Sequence, residues 1–422
     1  MKPHAAKWIS PMFFCFLLIL FSIIAVSIIS CKKASAIGSD NAAVSNSDGK
    51  LQTDAGLATD TYTKIFTGNT EGYHSYRIPS IVRTVTNHVL IAICEGRDSS
   101  NFDYGNINIV CKRSFDNGAT WQPIQAIAGP GNYTDGNPTA VVDPTTNFVW
   151  IVYLHSDQTH YTHLDANGNT YYKPFAPGDR RVMVVHSEDE GATWSAPLDI
   201  TATTTPSTIA QDYVGPGVGI YKAHGTNAGY LIIPAYGRNI YSTDHGANWT
   251  YSLITNGTAQ STESTIVEKL DGTLIRNDRA TSTQDSARRV AYGSLSDHFP
   301  TWISDAHLPD PKCEGSIMRY NDPKPNRIIF LNSASKTIRT AMQVKITYDE
   351  GSSWQIFKSF TNHGTGKLGG YSSLVKTYDN NIGALIEYNE NDDIKTRWHM
   401  SIEFHKFGLP WIIGTQTEPT GY

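Results

Sequence analysis

The sequence predicts an all-β protein, a six-bladed β-propeller behind an N-terminal export segment. Three observations carry that prediction: an octet that recurs along the chain, a composition suited to strands and tight turns, and the lack of any long stretch with helical periodicity.

The octet has Ser or Thr first, Asp third, Gly fifth and Trp eighth. It occupies 114–121, 187–194, 242–249 and 347–354, and a worn copy keeps Asp297 and Trp302 at the same separation with Phe299 in the glycine place. Octets start at 114, 187, 242, 295 and 347, so the intervals are 73, 55, 53 and 52 residues. That is the spacing of propeller blades, four-stranded units that cannot bury their faces alone. Within each octet the Asp carboxylate can accept bonds from nearby amides, the Gly supplies a positive φ, and the Trp folds back between strands. These carboxylates are therefore structural. A calcium loop would need further oxygen ligands ending in a bidentate acid, which the octets lack.

The composition agrees. Thirty-four Gly, 22 Tyr and 9 Trp favour strands and turns, and 40% hydrophobic with 17% charged residues excludes a disordered chain. The net charge of -5, with no basic run, makes nucleic acid an unsuitable partner. Segments such as 88–94, 107–111, 148–153, 230–234 and 327–331 have strand composition and are bounded by turn residues.

Taken in order, residues 12–30 are almost uninterruptedly apolar, preceded by Lys2 and Lys7 and followed by Cys31. Residues 1–31 read as a signal peptide, and Ile28-Ile29-Ser30-Cys31 resembles a lipobox whose Cys31 becomes lipidated; the alternative is an uncleaved membrane anchor. The body is thus expected outside the cytoplasm, lipid-anchored to a bacterial membrane or secreted, and it touches a membrane only through this anchor. Residues 32–61 read as a flexible tether. Residues 62–422 form the propeller, with the strand near 62–66 pairing with strands around 399–407 to complete the last blade. Cys94 and Cys111 lie on consecutive predicted strands and could pair, but buried free thiols are the favoured reading for them and Cys313. Without a CxxC pair there is no zinc signature. His155, His160 and His163 lack a carboxylate at fixed spacing and read as a polar loop, and no GxSxG elbow points to a serine hydrolase.

With the octets set aside as scaffold, several features could carry chemistry. Tyr76-Arg77-Ile78-Pro79 opens the first blade, Glu95-Gly96-Arg97 follows the next strand, and Phe102-Asp103-Tyr104-Gly105 comes shortly after. Glu263 is followed sixteen residues later by Arg279; Arg339 precedes the last octet, and Gly370-Tyr371-Ser372-Ser373-Leu374 follows it.

In that order and with the octets, this set resembles the exo-sialidases, the neuraminidase family of retaining glycosidases on six-bladed propellers. The resemblance covers roughly 62–407 and extends to the Gly215-Pro216-Gly217, Gly136-Asn137-Pro138 and Cys313-Glu314-Gly315 segments. It implies an exo-α-sialidase that releases terminal sialic acid from glycoproteins, glycolipids and oligosaccharides, as a monomer without metal or organic cofactor. Arg77, Arg279 and Arg339 would clamp the substrate carboxylate, because a planar guanidinium binds carboxylate bidentately and stays charged. Three such groups should repel one another until an anion arrives. Tyr371 would be the nucleophile with Glu263 as its base. A neutral phenol can approach a carbon that bears a carboxylate, and sialidases are a recognised exception to carboxylate nucleophiles. Asp103 would be the acid and then the base, and Arg97 would reach the sugar hydroxyls. Asp98 competes with Asp103, Arg327 competes with Arg339, and Glu268 reads as structural. The alternatives to hydrolysis are a sialic-acid-binding propeller without turnover and a trans-sialidase or intramolecular variant.

Overall fold

The structure, a computed structural model, describes residues 56–129, 131, 133–157, 163–164, 170–171, 175–255, 263–281, 286–321, 326–361, 367–390 and 399–420. The expected signal peptide with Cys31 and most of the tether lie outside the described residues, as does His160. Among the described residues, regular structure is β apart from two short helices, Thr201–Thr204 and Leu409–Ile413.

Antiparallel meanders of four strands recur along the chain. The first comprises Ser75–Arg83, Leu90–Arg97, Ile107–Ser114 and Gln125–Ala128, and the second Tyr133–Val142, Val149–Asp157, Arg180–Ser187 and Leu198–Asp199. A single parallel pair, Ile107 with Thr134, merges these two into one sheet. The third comprises Ile220–Tyr221, Leu231–Ala235, Arg238–Ser242 and Thr250–Leu253, and the fourth Ser264–Glu268, Leu274–Asp278, Ala287–Gly293 and Trp302–Pro309. The fifth runs Gly315–Asn321, Arg327–Ser333, Met342–Thr347 and Ile356–Ser359. The last takes three strands from the C-terminal end, Lys367–Lys376, Ile382–Asn389 and Met400–Phe407, and its fourth, Thr61–Phe66, from the start of the fold.

The apolar cores lie between successive meanders because side chains alternate between the two faces of each strand. In Arg327–Ser333, Ile328 and Phe330 pack with Val267 and Ile275 of the fourth meander. Ile329 and Leu331 face the other way, against Leu374 and Ala384 of the last. The last meander meets the first in the same manner, Leu385 and Phe404 joining Leu90 and Cys94. The same alternation explains the thiols. Ile93 pairs with Cys111 and Cys94 with Val110, so the two sulfurs fall in different cores, and Cys94, Cys111 and Cys313 are all free.

Each intact octet joins the third strand of a meander to its fourth. Ser114 Oγ donates to Asp116 Oδ1 at 2.8 Å and accepts from Gly118 N, while Asp116 also accepts from Thr120 N at 2.8 Å. The pattern repeats at Asp189, Asp244 and Asp349. The glycine is needed twice over. It adopts a positive φ, 87° at Gly118, and a Cβ there would overlap the Phe404 ring of the preceding meander. Gly246 stands in the same relation to Trp150. In the worn copy, Phe299 accepts the positive φ of 53° and is itself buried in the core with Ile232 and Ile266.

The tether ends earlier than the sequence suggested, because residues 57–61 are fastened to the fold. Leu57 N donates to Asn381 Oδ1 at 2.8 Å and Leu57 O accepts from Gly408 N, before strand pairing begins at Thr61. Asp60 reaches buried His405 at 2.9 Å, and Glu403 lies 3.3 Å from the other ring nitrogen. Burial alone would lower the His405 pKa, but bonds to Asp60 and Glu403 raise it above its ordinary value. A raised folded-state pKa contributes stability that is present below the unfolded value, near 6.5, and lost as pH rises through the folded one. The stability difference between wild type and His405→Gln, measured by denaturant midpoint, should therefore shrink between pH 6 and pH 9. A difference that is constant or grows over that range would contradict the charged bridge.

Candidate active site

The inner strands converge on a pocket of about 570 Å³ whose lining includes Arg97, Asp103, Tyr104, Asn137, Glu263 and Tyr371. Tyr371 stands at its floor, 5% exposed. Its hydroxyl donates to Glu263 Oε1 and accepts from Arg279 Nη1 at 2.9 Å, and Arg279 Nη1 also binds Glu263 Oε2. The Arg77 guanidinium lies 5.3 Å and that of Arg339 5.2 Å from the Tyr371 ring centroid, close enough for cation–π attraction. The three arginines, Tyr371 and Glu263 are therefore brought together in space.

Burial pushes the Tyr371 phenol well above its ordinary pKa, and the charge of Glu263 adds to this, while Arg279 and Arg339 oppose both. The phenol is thus held protonated at rest, with its proton directed at a carboxylate.

Local backbone geometry makes this convergence possible. Gly369 lets the Tyr371 strand approach Arg339, since a Cβ at that position would collide with the Arg339 carbonyl. Gly370 adopts φ of 140° beside Glu387, which occupies the space a side chain would need. Ile78 has φ of 59°, a conformation that a β-branched residue adopts only when its surroundings enforce it.

Glu387 enforces it, and sequence reasoning missed this residue. Its Oε1 accepts from Arg77 Nε and Ile78 N, both at 3.0 Å, and its Oε2 from Arg77 Nη2 at 3.2 Å and Tyr371 N at 3.0 Å. Although burial opposes ionisation, Arg77 and the donated bonds hold the Glu387 pKa below the usual carboxylate range. The available signal was a lone acid in the otherwise apolar run 382–388, because a buried charge must be paired. Glu95 was likewise given no part. It binds Arg97 Nε at 2.9 Å and Nη2 at 2.6 Å, and accepts from Asn137 N at 2.9 Å.

The expectation that the arginines repel until an anion arrives is not met for Arg77 and Arg279, whereas Arg339, among the described residues, donates only to Lys312 O at 3.2 Å and feels the charge of Arg77. Glu387 offsets Arg77, Glu263 offsets Arg279, and Asp103 Oδ1 lies 3.1 Å from Arg77 and 2.9 Å from Arg97. Asp103 nevertheless has a side chain 76% exposed, on a loop whose far end is held by Thr134 Oγ1 bonding to Gly105 N and O. Beneath Tyr371, Glu314 accepts from Ser372 N at 2.8 Å; burial, with Glu263 and Glu387 nearby, raises its pKa well above the carboxylate range.

The competitors separate in space. Arg327 pairs with Glu418 at 2.8 Å, Glu268 binds Lys222 at 3.0 Å, and Asp98 closes the base of the Asp103 loop through its backbone N–H to Asn106 O. His155 bonds Asp135 at 2.7 Å, and among the described residues no group of three metal-ligating side chains is assembled.

Glu387→Gln should be costly despite equal size, since an amide can accept at only one of two positions that each face N–H donors. We expect a stability loss of about 3 kcal/mol by denaturant titration, together with weakened ligand binding at Arg77. An unchanged midpoint would show that Glu387 does not organise the site.

Residues 89–384 match the BNR repeat-like domain family. The chain is 41% identical over 369 residues to an exo-α-sialidase of Aspergillus fumigatus, covering 81% of this chain and 86% of that one. It is 29% identical to a sialidase of Micromonospora viridifaciens, over 82% of this chain and 53% of that protein. Among solved structures, the Hadza microbial sialidase Hz136 superposes with a TM-score of 0.69 at 24% identity, over 83% of this chain and 69% of that one. The intramolecular trans-sialidase from Ruminococcus gnavus superposes with a TM-score of 0.67 at 18% identity, over 85% of this chain and 98% of that chain.

Proposed function

This chain belongs to the exo-α-sialidase family, and we propose that it hydrolyses terminal α-linked sialic acids of glycoproteins, glycolipids and oligosaccharides with retention at the anomeric carbon. The observation that carries the reading is the Tyr371 hydroxyl shared between Glu263 and Arg279.

In this reading the substrate carboxylate enters between Arg77, Arg279 and Arg339 and takes over the contact that Asp103 makes with Arg77. Asp103, so released, takes up a proton from solvent and donates it to the glycosidic oxygen as the bond to the anomeric carbon breaks. The Tyr371 oxygen forms the new bond on the opposite face while its proton passes to Glu263. Water then attacks the same carbon, Asp103 takes its proton, and Tyr371 leaves with the proton returned by Glu263. Once the bond has formed, the phenol proton lies on Glu263 and the negative charge has passed to Asp103, so the Tyr371–Glu263 couple is neutral in the intermediate and negative again when water has released the product. Arg279 touches both partners at rest and compensates the charge of the couple while the proton moves from Tyr371 to Glu263.

The same proposal takes the meanders as six blades of a propeller, supported by cores that join each meander to the next and the last to the first. It takes residues 1–31 as the export segment ending in a lipidated Cys31, and a monomer as the working unit.

Tyr371→Phe should lower kcat at least about a hundredfold while leaving affinity for free sialic acid within about threefold, since the hydroxyl acts in the chemical step. Arg279→Ala should reduce both, because the clamp acts on ground and transition states alike. Steady-state kinetics on a sialyl-oligosaccharide, with calorimetric binding of the product, separates the cases. Equal losses of affinity and rate in the Tyr371 variant would remove its assignment as nucleophile.

A further inference from the structure

Two aromatic rings at the pocket mouth take no part in the reaction just described. Phe102 and Tyr104 flank Asp103, and their rings lie nearly parallel, 4° apart in plane with centroids separated by 5.1 Å. Tyr104 lines the pocket with Asp103 and Tyr371, whereas Phe102 is 56% exposed. Burial in a core does not explain a phenylalanine so exposed beside a pocket.

The segment carrying the pair is fastened on both sides. Ahead of it, Arg97 Nη1 donates to Asn101 O at 2.5 Å; behind it, Thr134 Oγ1 accepts from Gly105 N at 3.2 Å and donates to Gly105 O at 2.8 Å. Asp98 N to Asn106 O at 3.0 Å closes the base of the loop. The rings thus form a surface ordered before any ligand arrives, which reduces the entropy lost on binding.

Their place in the sequence says what that surface would meet. If Asp103 protonates the glycosidic oxygen, the group bonded to that oxygen lies within one residue of both rings. That leaving group is a sugar, and a pyranose presents a face of C–H bonds whose positive edge suits the negative face of an aromatic ring.

We propose that the stacked Phe102–Tyr104 pair is the aglycone subsite, binding the C–H face of the pyranose from which sialic acid is released. The proposal rests on the assignment of Asp103 as proton donor. It makes Phe102 a determinant of leaving-group preference.

The test compares kcat/KM for sialyllactose, in both α2-3 and α2-6 forms, with that for methyl α-sialoside, whose aglycone has no ring. Phe102→Ser in the full-length chain should lower the sialyllactose to methyl sialoside ratio about fivefold for the better of the two linkages, mainly through KM. Phe102→Trp should keep the ratio near wild type. A disturbed Asp103 would affect both substrates, since each has a poor leaving group, and would not move the ratio. A ratio unmoved by Phe102→Ser, or lowered as much by Phe102→Trp, would overturn the subsite. If wild type turns over neither sialyllactose nor methyl α-sialoside, the exo-sialidase reading itself fails, and that result is distinct from an unmoved ratio.

Discussion

The buried carboxylate of Glu387 is the contact on which the site depends. It collects four N–H donors from two separate strands, so the opening of the first meander and the Tyr371 segment of the last are held to one point. Both strands pay for the arrangement with unusual backbone, a positive φ at Ile78 and at Gly370. An acid in this place does what no apolar residue could, because it fixes a charged guanidinium and two main-chain amides at once. The closing of the fold by Thr61–Phe66 supports the same corner from outside, as it completes the sheet that carries Glu387.

Around that point the charges form linked pairs. Glu95 holds Arg97, Glu387 holds Arg77, Glu263 holds Arg279, and Asp103 bridges Arg77 and Arg97. Two of the three clamp arginines are thus balanced before any anion arrives, and Arg339 is left for the ligand. An incoming carboxylate exchanges with Asp103, the one acid of the group whose side chain is largely exposed. Substrate binding and release of the proton donor thus become a single event in the proposed mechanism, while the phenol beneath stays protonated until Glu263 accepts its proton.

Much of the scaffold was legible because repeats expose themselves: the octets gave the number of turns and their spacing, and every intact copy makes the same Asp and Gly contacts. The pairing of the first strand with the last was legible for a related reason, since an open edge must be covered. The arginines, Tyr371 and Glu263 were visible through their motifs. Glu387 was not, because a supporting acid carries no motif of its own and its meaning comes from a partner 310 residues away; Glu95 stood in the Glu95-Gly96-Arg97 motif but was given no role until its bonds to Arg97, two residues on in the same strand, were seen. The early end of the tether was hidden likewise: Leu57 looks like linker until Asn381 and Gly408 are seen beside it.

Retention through a tyrosyl intermediate is the central claim, and the stereochemistry of the first product tests it most directly. Proton NMR of sialyllactose digestion by the full-length chain, followed faster than mutarotation, should show the α-anomer of free sialic acid appearing before the β-anomer. The β-anomer appearing first would mean direct attack by water, and Tyr371 would then be no nucleophile.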